Sequence, residues 1–287
     1  MNLKPVALLI FLFLTSCTPA PTDKPPDKPI ETKSPSREFK IAVIPQGATH
    51  EFWKSIHAGA VKASQDLKSE GINVTLLWKA PLREDDREQQ VQVVEGFTSQ
   101  GIQGIVLAPF DRRALVRPVE EAKRAGIPTV VVDSGLDTDQ VVSFLASNNY
   151  HGGELAAEQM AKLLGGKGKV LLLRYQEGVA STEAREQGFV DTIKTHSGIE
   201  LISSDQHSGA TRDTAKTAAE NLLNRFGSQI QGIFTPNESS TSGTLMHPSR
   251  SCCYTLRWTS IFRNDPASVI RSPEALWADC RARRCGP

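Results

Sequence analysis

The chain is predicted to fold as two α/β lobes in series, each a parallel β-sheet flanked by helices. From residue 40 onward, short apolar runs alternate with longer amphipathic stretches, as in repeated strand–helix–strand units. This alternation occurs twice, once in each half of the folded part. The 287 residues are enough for two domains of ordinary size, and 39% hydrophobic residues are enough to build their cores.

Residues 1–17 are typical of a lipoprotein signal peptide. A nine-residue apolar run, 6–14, follows Lys4. It is too short to cross a bilayer as a mature helix, but it fits the hydrophobic region of a signal peptide. The letters LTSC then end at Cys17 and resemble the lipobox of bacterial lipoproteins, which implies cleavage before Cys17 and lipidation of its thiol. The alternative is an ordinary signal peptide that contains a cysteine.

Residues 18–38 are predicted to be an extended tether. They contain six prolines, several charges and hydroxyl groups, and almost no large apolar side chains, so they cannot pack a core. Joined to a lipidated Cys17, the tether would lift the folded part off a membrane. The net charge of +1 provides no strong field to recruit nucleic acid or an anionic membrane surface.

Residues 39–139 are predicted to form the first lobe. The apolar runs fit strands buried on both faces, and helices with apolar residues at three- and four-residue steps lie between them. Gly71, Gly101 and Gly126 are expected to end these helices. The predicted strands are 41–44, 74–78, 105–108, 129–132 and 141–146, and the predicted helices begin near Phe52 and cover 87–99 and 114–125.

Residues 140–243 repeat the scheme as an incomplete second lobe, with the crossing between lobes placed at 136–144. The glycine-rich stretch 165–168 lies after a helix and before a strand. A dinucleotide-binding fingerprint needs the opposite order, so we expect helix termination there. The predicted helices are 152–164, 182–196 and 211–226, and the predicted strands are 170–173, 199–203 and 230–234.

Polar and aromatic side chains stand directly after the predicted strands. Ligands of open α/β sheets bind beyond the carboxyl ends of the strands, so these groups should converge in a cleft between the lobes. Aromatic rings can stack on a sugar while charged and amide groups bond its hydroxyls. The alternative for each residue is a solvated loop charge or a helix cap. The predicted ligand-binding residues are His50, Phe52, Trp53, Asp111, Arg113, Asp133, Glu183, Arg185 and Asn237.

The sequence gives no signal for catalysis. It contains no GxxxxGK[ST] loop, and no Ser–His–Asp or Cys–His arrangement can be assigned from residue order. We therefore expect a binding protein without a cofactor. An α/β enzyme would need a nucleophile or a cofactor loop that the sequence does not provide.

Six stretches together resemble the type I periplasmic binding proteins, the solute-binding components of sugar ABC transporters, nearest the ribose- and galactose-binding group. They follow the family's order and spacing over residues 39–243. The resemblance implies two Rossmann-like lobes that close about a hinge on a monosaccharide, an ABC permease as partner, a monomer, and a periplasmic or cell-surface location on a lipid anchor. The stretches are IAVIPQGATHEFWKSIHAGA, GIQGIVLAPFDRRAL, GIPTVVVDSGL, ASNNYHGGELAAEQM, EAREQGF and GIFTPNESSTSG.

The same resemblance implies roles for individual positions. Phe52 and Trp53 match the family's sugar-stacking aromatic pair, and Asn237 matches the amide or acid after the corresponding strand. Arg113 stands where the ribose binders have Asp, and Glu183 stands where they have Arg. These exchanges either swap charge across the cleft or select a solute other than ribose.

Two other roles share this fold. A sensor would present the ligand to a membrane receptor, and the sequence does not separate that role from transport. A sugar-responsive transcription regulator would need an N-terminal helix-turn-helix, but a signal peptide and a proline-rich tether occupy that position.

Residues 244–287 depart from the family and from the rest of the chain. They hold four of the five cysteines and seven arginines but no lysine, whereas fifteen lysines precede them. We interpret this change as an out-of-frame reading or a wrong gene end. A metal site is an alternative, although paired CxxC spacing is missing. Its ligands would be His247, Cys252, Cys253, Cys280 and Cys285.

Loss of the family's C-terminal segments would have physical consequences. The second lobe would lack the helix after Asn237 and the strand beyond it, and the first lobe would lack its last strand and helix. Both lobes would then expose apolar edges. We therefore expect the chain as written to fold poorly or to bind its ligand weakly.

Overall fold

A computed structural model describes residues 37–227, 229–246 and 254–257. The described chain contains two parallel β-sheets flanked by helices, which confirms the predicted fold class. The predicted signal peptide, the lipidation site Cys17 and the tether up to residue 36 lie outside the described residues. So does most of the tail 244–287, including its four cysteines.

Strands and helices alternate along the described residues, except that no helix lies between the strands Thr129–Val132 and Ser143–Leu145. None of these helices combines the length and the apolar character needed to cross a membrane. The strands are β1 (Arg37–Ile44), β2 (Ile72–Trp78), β3 (Gly104–Leu107), β4 (Thr129–Val132), β5 (Ser143–Leu145), β6 (Gly168–Arg174), β7 (Ile199–His207), β8 (Gly232–Thr235) and β9 (Tyr254–Arg257). The helices are α1 (Glu51–Ser69), α2 (Arg87–Ser99), α3 (Val116–Arg124), α4 (Asn149–Leu163), α5 (Ala180–Ile193), α6 (Arg212–Phe226) and α7 (Glu238–Leu245).

The first lobe is built on a five-stranded sheet in the order β2-β1-β3-β4-β5, with every pair parallel. Apolar side chains of β1 and β3 pack against α2 and α3, and the buried Ala42, Ile44 and Leu107 lie in this core. On α1, the ring of His57 lies 4.4 Å from that of Trp78 in β2. Strand β5 belongs to this sheet, although it lies beyond the predicted boundary after residue 139.

The second lobe is built on a four-stranded parallel sheet in the order β7-β6-β8-β9. Alternate residues of β6 point to opposite faces, as strand geometry requires. Val170 and Leu172 pack against α4 and α5, whereas Leu171 and Leu173 pack against α6. Helices therefore cover both faces of this sheet.

The second lobe continues past Asn237, which corrects the expectation that its next helix and strand are missing. Helix α7 begins after Asn237, whose side-chain oxygen accepts a hydrogen bond from the backbone of Ser240. Its residues lack an apolar period, but Ser239 and Thr241 are buried, and α7 packs against α6. Strand β9 then pairs in parallel with β8. Packing against α6 therefore stabilises α7, whereas the hydrophobic pattern of its residues does not predict a helix.

The glycine-rich stretch after α4 ends that helix, as predicted. Gly165 and Gly166 have φ of 62° and 77°, a region that glycine enters without steric cost. The N–H of Gly166 donates to the carbonyl of Ala161 at 2.9 Å. The stretch then leads directly into β6.

Helices α4 and α5 approach each other through two glycines. A Cβ placed on Gly153 would overlap the backbone of Arg185 and lie 2.7 Å from the nitrogen of Phe189, and a Cβ on Gly188 would overlap the backbone of Tyr150. Each helix therefore presents bare backbone to the other. Arg185 lies on α5 at this contact, so the close packing of the two helices positions its backbone.

We predict that Gly153→Ala destabilises the protein by about 1–3 kcal/mol, because the added methyl group overpacks the α4–α5 contact. Gly59→Ala in α1 is the matched control, since no atom lies within 4 Å of a Cβ placed there. The control should be neutral or stabilising by about 0.5–1 kcal/mol. Urea unfolding measures both, and equal free energies of unfolding for the two variants would contradict the prediction.

Candidate functional site

A cleft lies where the carboxyl ends of strands from both sheets meet. The first lobe contributes the loops that follow β1, β2 and β4, and the second contributes those that follow β6 and β8. This is the position at which open α/β sheets bind ligands. Its lining residues are Gln46, His50, Phe52, Trp53, Glu84, Asp133, Tyr175, Ser181, Thr182, Arg185, Asn237, Glu238 and Ser239.

The aromatic wall of the cleft comes from the first turn of α1. The rings of Phe52 and Trp53 meet edge to face, with centroids 4.9 Å apart and an interplanar angle of 76°. Trp53 is 3% exposed, whereas Phe52 is half-buried. The loop before the wall is held by Gln46, whose side-chain amide donates to the carbonyl of Pro109 at 3.0 Å. The wall is therefore an apolar surface whose preceding loop is anchored to the loop after β3.

The opposite side of the cleft is formed by the N-terminal parts of α5 and α7. Arg185 is buried, and its Nη1 donates to the carbonyl of Pro236 at 3.0 Å. Its Nε donates to Oδ1 of Asn149 at 2.9 Å. Asn237 is the N-cap of α7, so its side-chain oxygen is engaged at the helix terminus.

The carboxylate of Glu84 receives hydrogen bonds from both lobes. Its Oε1 lies 2.6 Å from Nδ1 of His50 and also accepts from the indole N–H of Trp53. Its Oε2 accepts from the hydroxyl of Tyr175, in the second lobe, at 2.6 Å. Glu84 is only 5% exposed. These bonds satisfy a buried charge that would otherwise be costly.

The Glu84 carboxylate helps to raise the pKa values of two neighbouring side chains. Burial acts to lower the pKa of His50, but the hydrogen bond and the negative charge of Glu84 outweigh burial and raise it above 6.5. Burial, followed by the charge of Glu84, raises the pKa of Tyr175 well above 10. Tyr175 therefore remains a neutral hydrogen-bond donor at physiological pH.

Asp133 combines a strained backbone with a raised pKa. Its φ of 64° makes it the one non-glycine residue with positive φ among the described residues, and such conformations cluster at functional sites. Burial raises the pKa of Asp133 to about 6, although the charge of Arg185 opposes that rise. Burial lowers the pKa of Arg185 to about 10, so the guanidinium stays charged at neutral pH.

Glu238 presents a buried acceptor that its own chain leaves open. Its Oε1 accepts from Nη2 of Arg212 at 2.6 Å and from the hydroxyl of Ser242 at 3.1 Å. Its Oε2 is buried and has no hydrogen-bond partner among the described residues. An open buried acceptor costs about 1–3 kcal/mol, which a ligand donor in the cleft would recover.

Of the nine predicted site residues, six line the cleft and three do not. Asp111, Arg113 and Glu183 lie outside its lining, and their predicted contact with ligand stays a prediction. The six in the lining are His50, Phe52, Trp53, Asp133, Arg185 and Asn237.

The other three lie in ion pairs near the contact between the lobes. Oδ2 of Asp111 lies 3.1 Å from Nε of Arg87. Glu183 lies 3.6 Å from Nη1 of Arg112 in the first lobe. The side chain of Arg113 is 86% exposed and lies 3.8 Å from Asp137. Consecutive residues of the turn after β3 point in different directions, which residue order alone does not reveal.

Several lining residues were not predicted, although they also follow strands. Glu84 lies in the loop after β2, and Tyr175 directly follows β6. Both come at the carboxyl ends of strands, which is the signal that selected the other candidates.

The described residues contain no group of three or more His, Cys, Asp or Glu that could hold a metal ion. The proposed cysteine ligands lie outside those residues.

Two parallel α/β lobes with a cleft between their carboxyl edges define a two-lobed ligand-binding protein. The chain belongs to the periplasmic binding protein family, whose domain matches residues 41–246. A ribose import binding protein of Bacillus subtilis is 27% identical over 242 residues, which cover 84% of this chain and 76% of the relative. The D-allose-binding periplasmic protein of Escherichia coli is 29% identical over 212 residues, 71% of this chain and 66% of that protein.

Solved structures show the same relationship. The periplasmic component of an ABC-type sugar transport system from Hahella chejuensis is 33% identical, with a TM-score of 0.67, over 72% of this chain and 73% of that one. A carbohydrate transporter solute-binding protein from Agrobacterium radiobacter, in complex with D-arabinose, is 29% identical, with a TM-score of 0.66, over 72% and 69% of the two chains. The ribose import binding protein and the two solved structures belong to transport systems, which points to a non-enzymatic function.

We predict that the stability difference between the wild type and Asp133→Asn changes with pH. The pKa of Asp133 is about 6 in the folded protein and 3.8 as the reference value. The folded state therefore holds the proton more tightly, and raising the pH from 4 to 7 should destabilise the wild type relative to the variant. Asn tolerates the positive φ, so the substitution adds no backbone strain.

Urea unfolding at pH 4, 5, 6 and 7 measures this difference, in which the titration of other groups largely cancels. A difference that is constant over this range would contradict the raised pKa.

Proposed function

We propose that this protein is an extracytoplasmic solute-binding lipoprotein that binds a monosaccharide or a similar polyol in the cleft and delivers it to an ABC transporter. The observation that carries the proposal is the aromatic wall of Phe52 and Trp53 facing charged and amide groups of the other lobe within one cleft. No bond of the ligand is made or broken in this mechanism. The protein recognises, encloses and releases its ligand.

Stacking supplies one part of the recognition. One face of a pyranose or furanose ring is rich in C–H groups, and such a face packs against aromatic rings. Phe52 is half-buried and lines the cleft, so its ring is available to a ligand. Trp53 is held in place by its hydrogen bond to Glu84, which reduces the conformational entropy lost on binding.

Hydrogen bonding supplies the other part. Oε2 of Glu238 is a buried acceptor that needs a donor, and a sugar hydroxyl is such a donor. Asp133 and Glu84 add further carboxylates to the lining. An anionic sugar acid would bring a like charge towards these groups, which is unfavourable, and the guanidinium of Arg185 already donates to Asn149 and Pro236. The cleft therefore suits a neutral, hydroxyl-rich ligand.

Binding would favour the closed arrangement of the lobes because the ligand contacts both. The aromatic wall belongs to the first lobe, and Arg185, Asn237 and Glu238 belong to the second. A ligand shifts a conformational equilibrium only by its differential affinity for the two states. Contacts to both lobes exist only when the cleft is closed, so they supply that difference.

Membership of a periplasmic family supports an extracytoplasmic location. The relatives described as import binding proteins and transporter components support delivery to a permease. We extend the proposal to the N-terminus, where the LTSC sequence supports a lipid anchor on Cys17 and residues 18–38 support a tether. The two lobes would then be held near the membrane permease.

Isothermal titration calorimetry of the full chain with D-ribose, D-allose and D-arabinose tests the function. D-Gluconate serves as the acidic comparison. Saturable binding of a neutral sugar together with much weaker binding of D-gluconate is the expected result. Absence of binding by every neutral sugar in a folded, cooperatively melting preparation would overturn the proposal for these sugars, and preferred binding of D-gluconate would overturn the proposed charge selectivity.

We predict that Phe52→Ala weakens the affinity for whichever sugar binds by about tenfold to a hundredfold, which corresponds to about 1.4–2.8 kcal/mol of lost stacking and burial. Half-buried Phe52 contributes less to the core than Trp53, so this variant should fold. Trp78→Phe is the control, because Trp78 lies on β2 outside the cleft lining. Equal dissociation constants for Phe52→Ala and the wild type would contradict the stacking role.

We predict that Cys17→Ser abolishes incorporation of labelled palmitate in bacterial cells and releases the protein from the membrane fraction, because the lipidated thiol is lost. The control is Cys252→Ser, which removes a cysteine outside the lipobox. Equal labelling of the Cys17→Ser variant and the wild type would contradict the lipid anchor.

A further inference from the structure

We propose that Glu84 is a positioning residue that couples the orientation of the aromatic wall to the contact between the lobes. Three hydrogen-bond donors converge on its carboxylate. Two of them, His50 and Trp53, belong to the first lobe, and the third, Tyr175, belongs to the second. The wall and the opposite lobe are thus tied to the same two oxygen atoms. The effect on affinity rests on the proposed function, but the effect on lobe contact does not.

The position requires a carboxylate. The indole N–H and the tyrosine O–H both donate to Glu84, and Nδ1 of His50 donates when that nitrogen carries the proton. An ionised carboxylate only accepts, and its two oxygens offer about four sites. The amide of glutamine would turn one of those oxygens into a donor that faces another donor. A carboxylate-to-amide change therefore breaks the network while it keeps the shape of the side chain.

The surrounding backbone holds Glu84 in one place. A Cβ on Gly47 would come within 3.3 Å of the backbone nitrogen of Glu84 and would overlap its Cγ. The loop that precedes the aromatic wall therefore packs directly against the Glu84 side chain. With 5% exposure, Glu84 has little access to water as an alternative partner, so its hydrogen bonds depend on these neighbours.

Tyr175 is equally constrained on the other side. It is 1% exposed, and its ring packs with Val179 and Ala210 of the second lobe and with Phe110 of the first. Its backbone N–H donates to Oε1 of Glu186 at 2.8 Å. The hydroxyl therefore moves with the second lobe, and separation of the lobes must break its bond to Glu84.

Other hydrogen bonds also join the two lobes and report on the same movement. The N–H of Arg112 donates to the carbonyl of Gly178 at 2.9 Å, and the N–H of Ser181 donates to the hydroxyl of Ser134 at 3.2 Å. Neither bond involves Glu84. Their amide protons therefore report on lobe contact without contacting the mutated group.

Hydrogen–deuterium exchange of the ligand-free full chain tests the coupling with Glu84→Gln and Tyr175→Phe. Tyr175→Phe loses only the hydroxyl and is the milder variant if Glu84→Gln folds poorly. Asp85→Asn is the matched control, since Asp85 lies in the same loop but pairs with Arg83. The amide of Ile105, bonded to Pro128 within the first lobe at 2.9 Å, serves as the internal reference.

The expected result is an exchange rate about tenfold faster at the amides of Arg112 and Ser181 in both variants, with Ile105 unchanged. The Asp85→Asn control should match the wild type at all three amides. Unchanged exchange at Arg112 and Ser181 in both variants would overturn the proposal. Equal acceleration at Ile105 would also overturn it, because that result describes general destabilisation rather than loss of lobe contact.

Calorimetry with the sugar that the wild type binds supplies the second test. Each single variant should bind about tenfold or more weakly, and the double variant should bind about as weakly as Glu84→Gln alone, because both changes break one network. Additive losses would overturn the coupling. If the wild type binds none of the three sugars, the proposed function fails for them, whereas the exchange measurement still decides the role of Glu84.

Discussion

Parallel pairing within both sheets is the constraint on which the rest of the structure depends. Since every paired strand in the described residues runs parallel, the carboxyl ends of each sheet lie along one edge. Except between β4 and β5, helices return the chain to the opposite edge, and they cover the sheet faces as they do so. Loops at the carboxyl edges are thereby left to form the cleft. The apolar cores fix these loops without taking part in the site.

The cleft concentrates the polar groups that the cores exclude. Glu84, Asp133 and Arg185 lie among aromatic rings, where an isolated charge would be costly. Glu84 is satisfied by donors from both lobes, while Arg185 donates to an amide oxygen and a carbonyl. The strained φ of Asp133 adds to the cost of this arrangement. The stability of the cores offsets these costs, and the gain is a set of groups already oriented towards a ligand.

The contact between the lobes is as specific as the cores within them. Tyr175 places a ring in an apolar cluster shared by both lobes and a hydroxyl on Glu84. The ion pair of Arg112 and Glu183 lies close by. Two residues that the sequence analysis assigned to ligand, Asp111 and Glu183, thus lie where the lobes meet. A charged residue after a strand can serve either purpose, because ligand and opposite lobe approach the same edge.

The sequence by itself determined the α/β class and the order of strands and helices up to residue 235, because hydrophobic period and glycine position are local properties. The aromatic pair Phe52 and Trp53 was predicted from its position after the first strand. It also selected six of the lining residues, since each follows a strand. Only the tertiary structure decided which loop side chains turn into the cleft, that Glu84 and Tyr175 meet there, and that α7 follows Asn237. Those outcomes depend on contacts between residues far apart in the chain. The local sequence pattern therefore does not predict them.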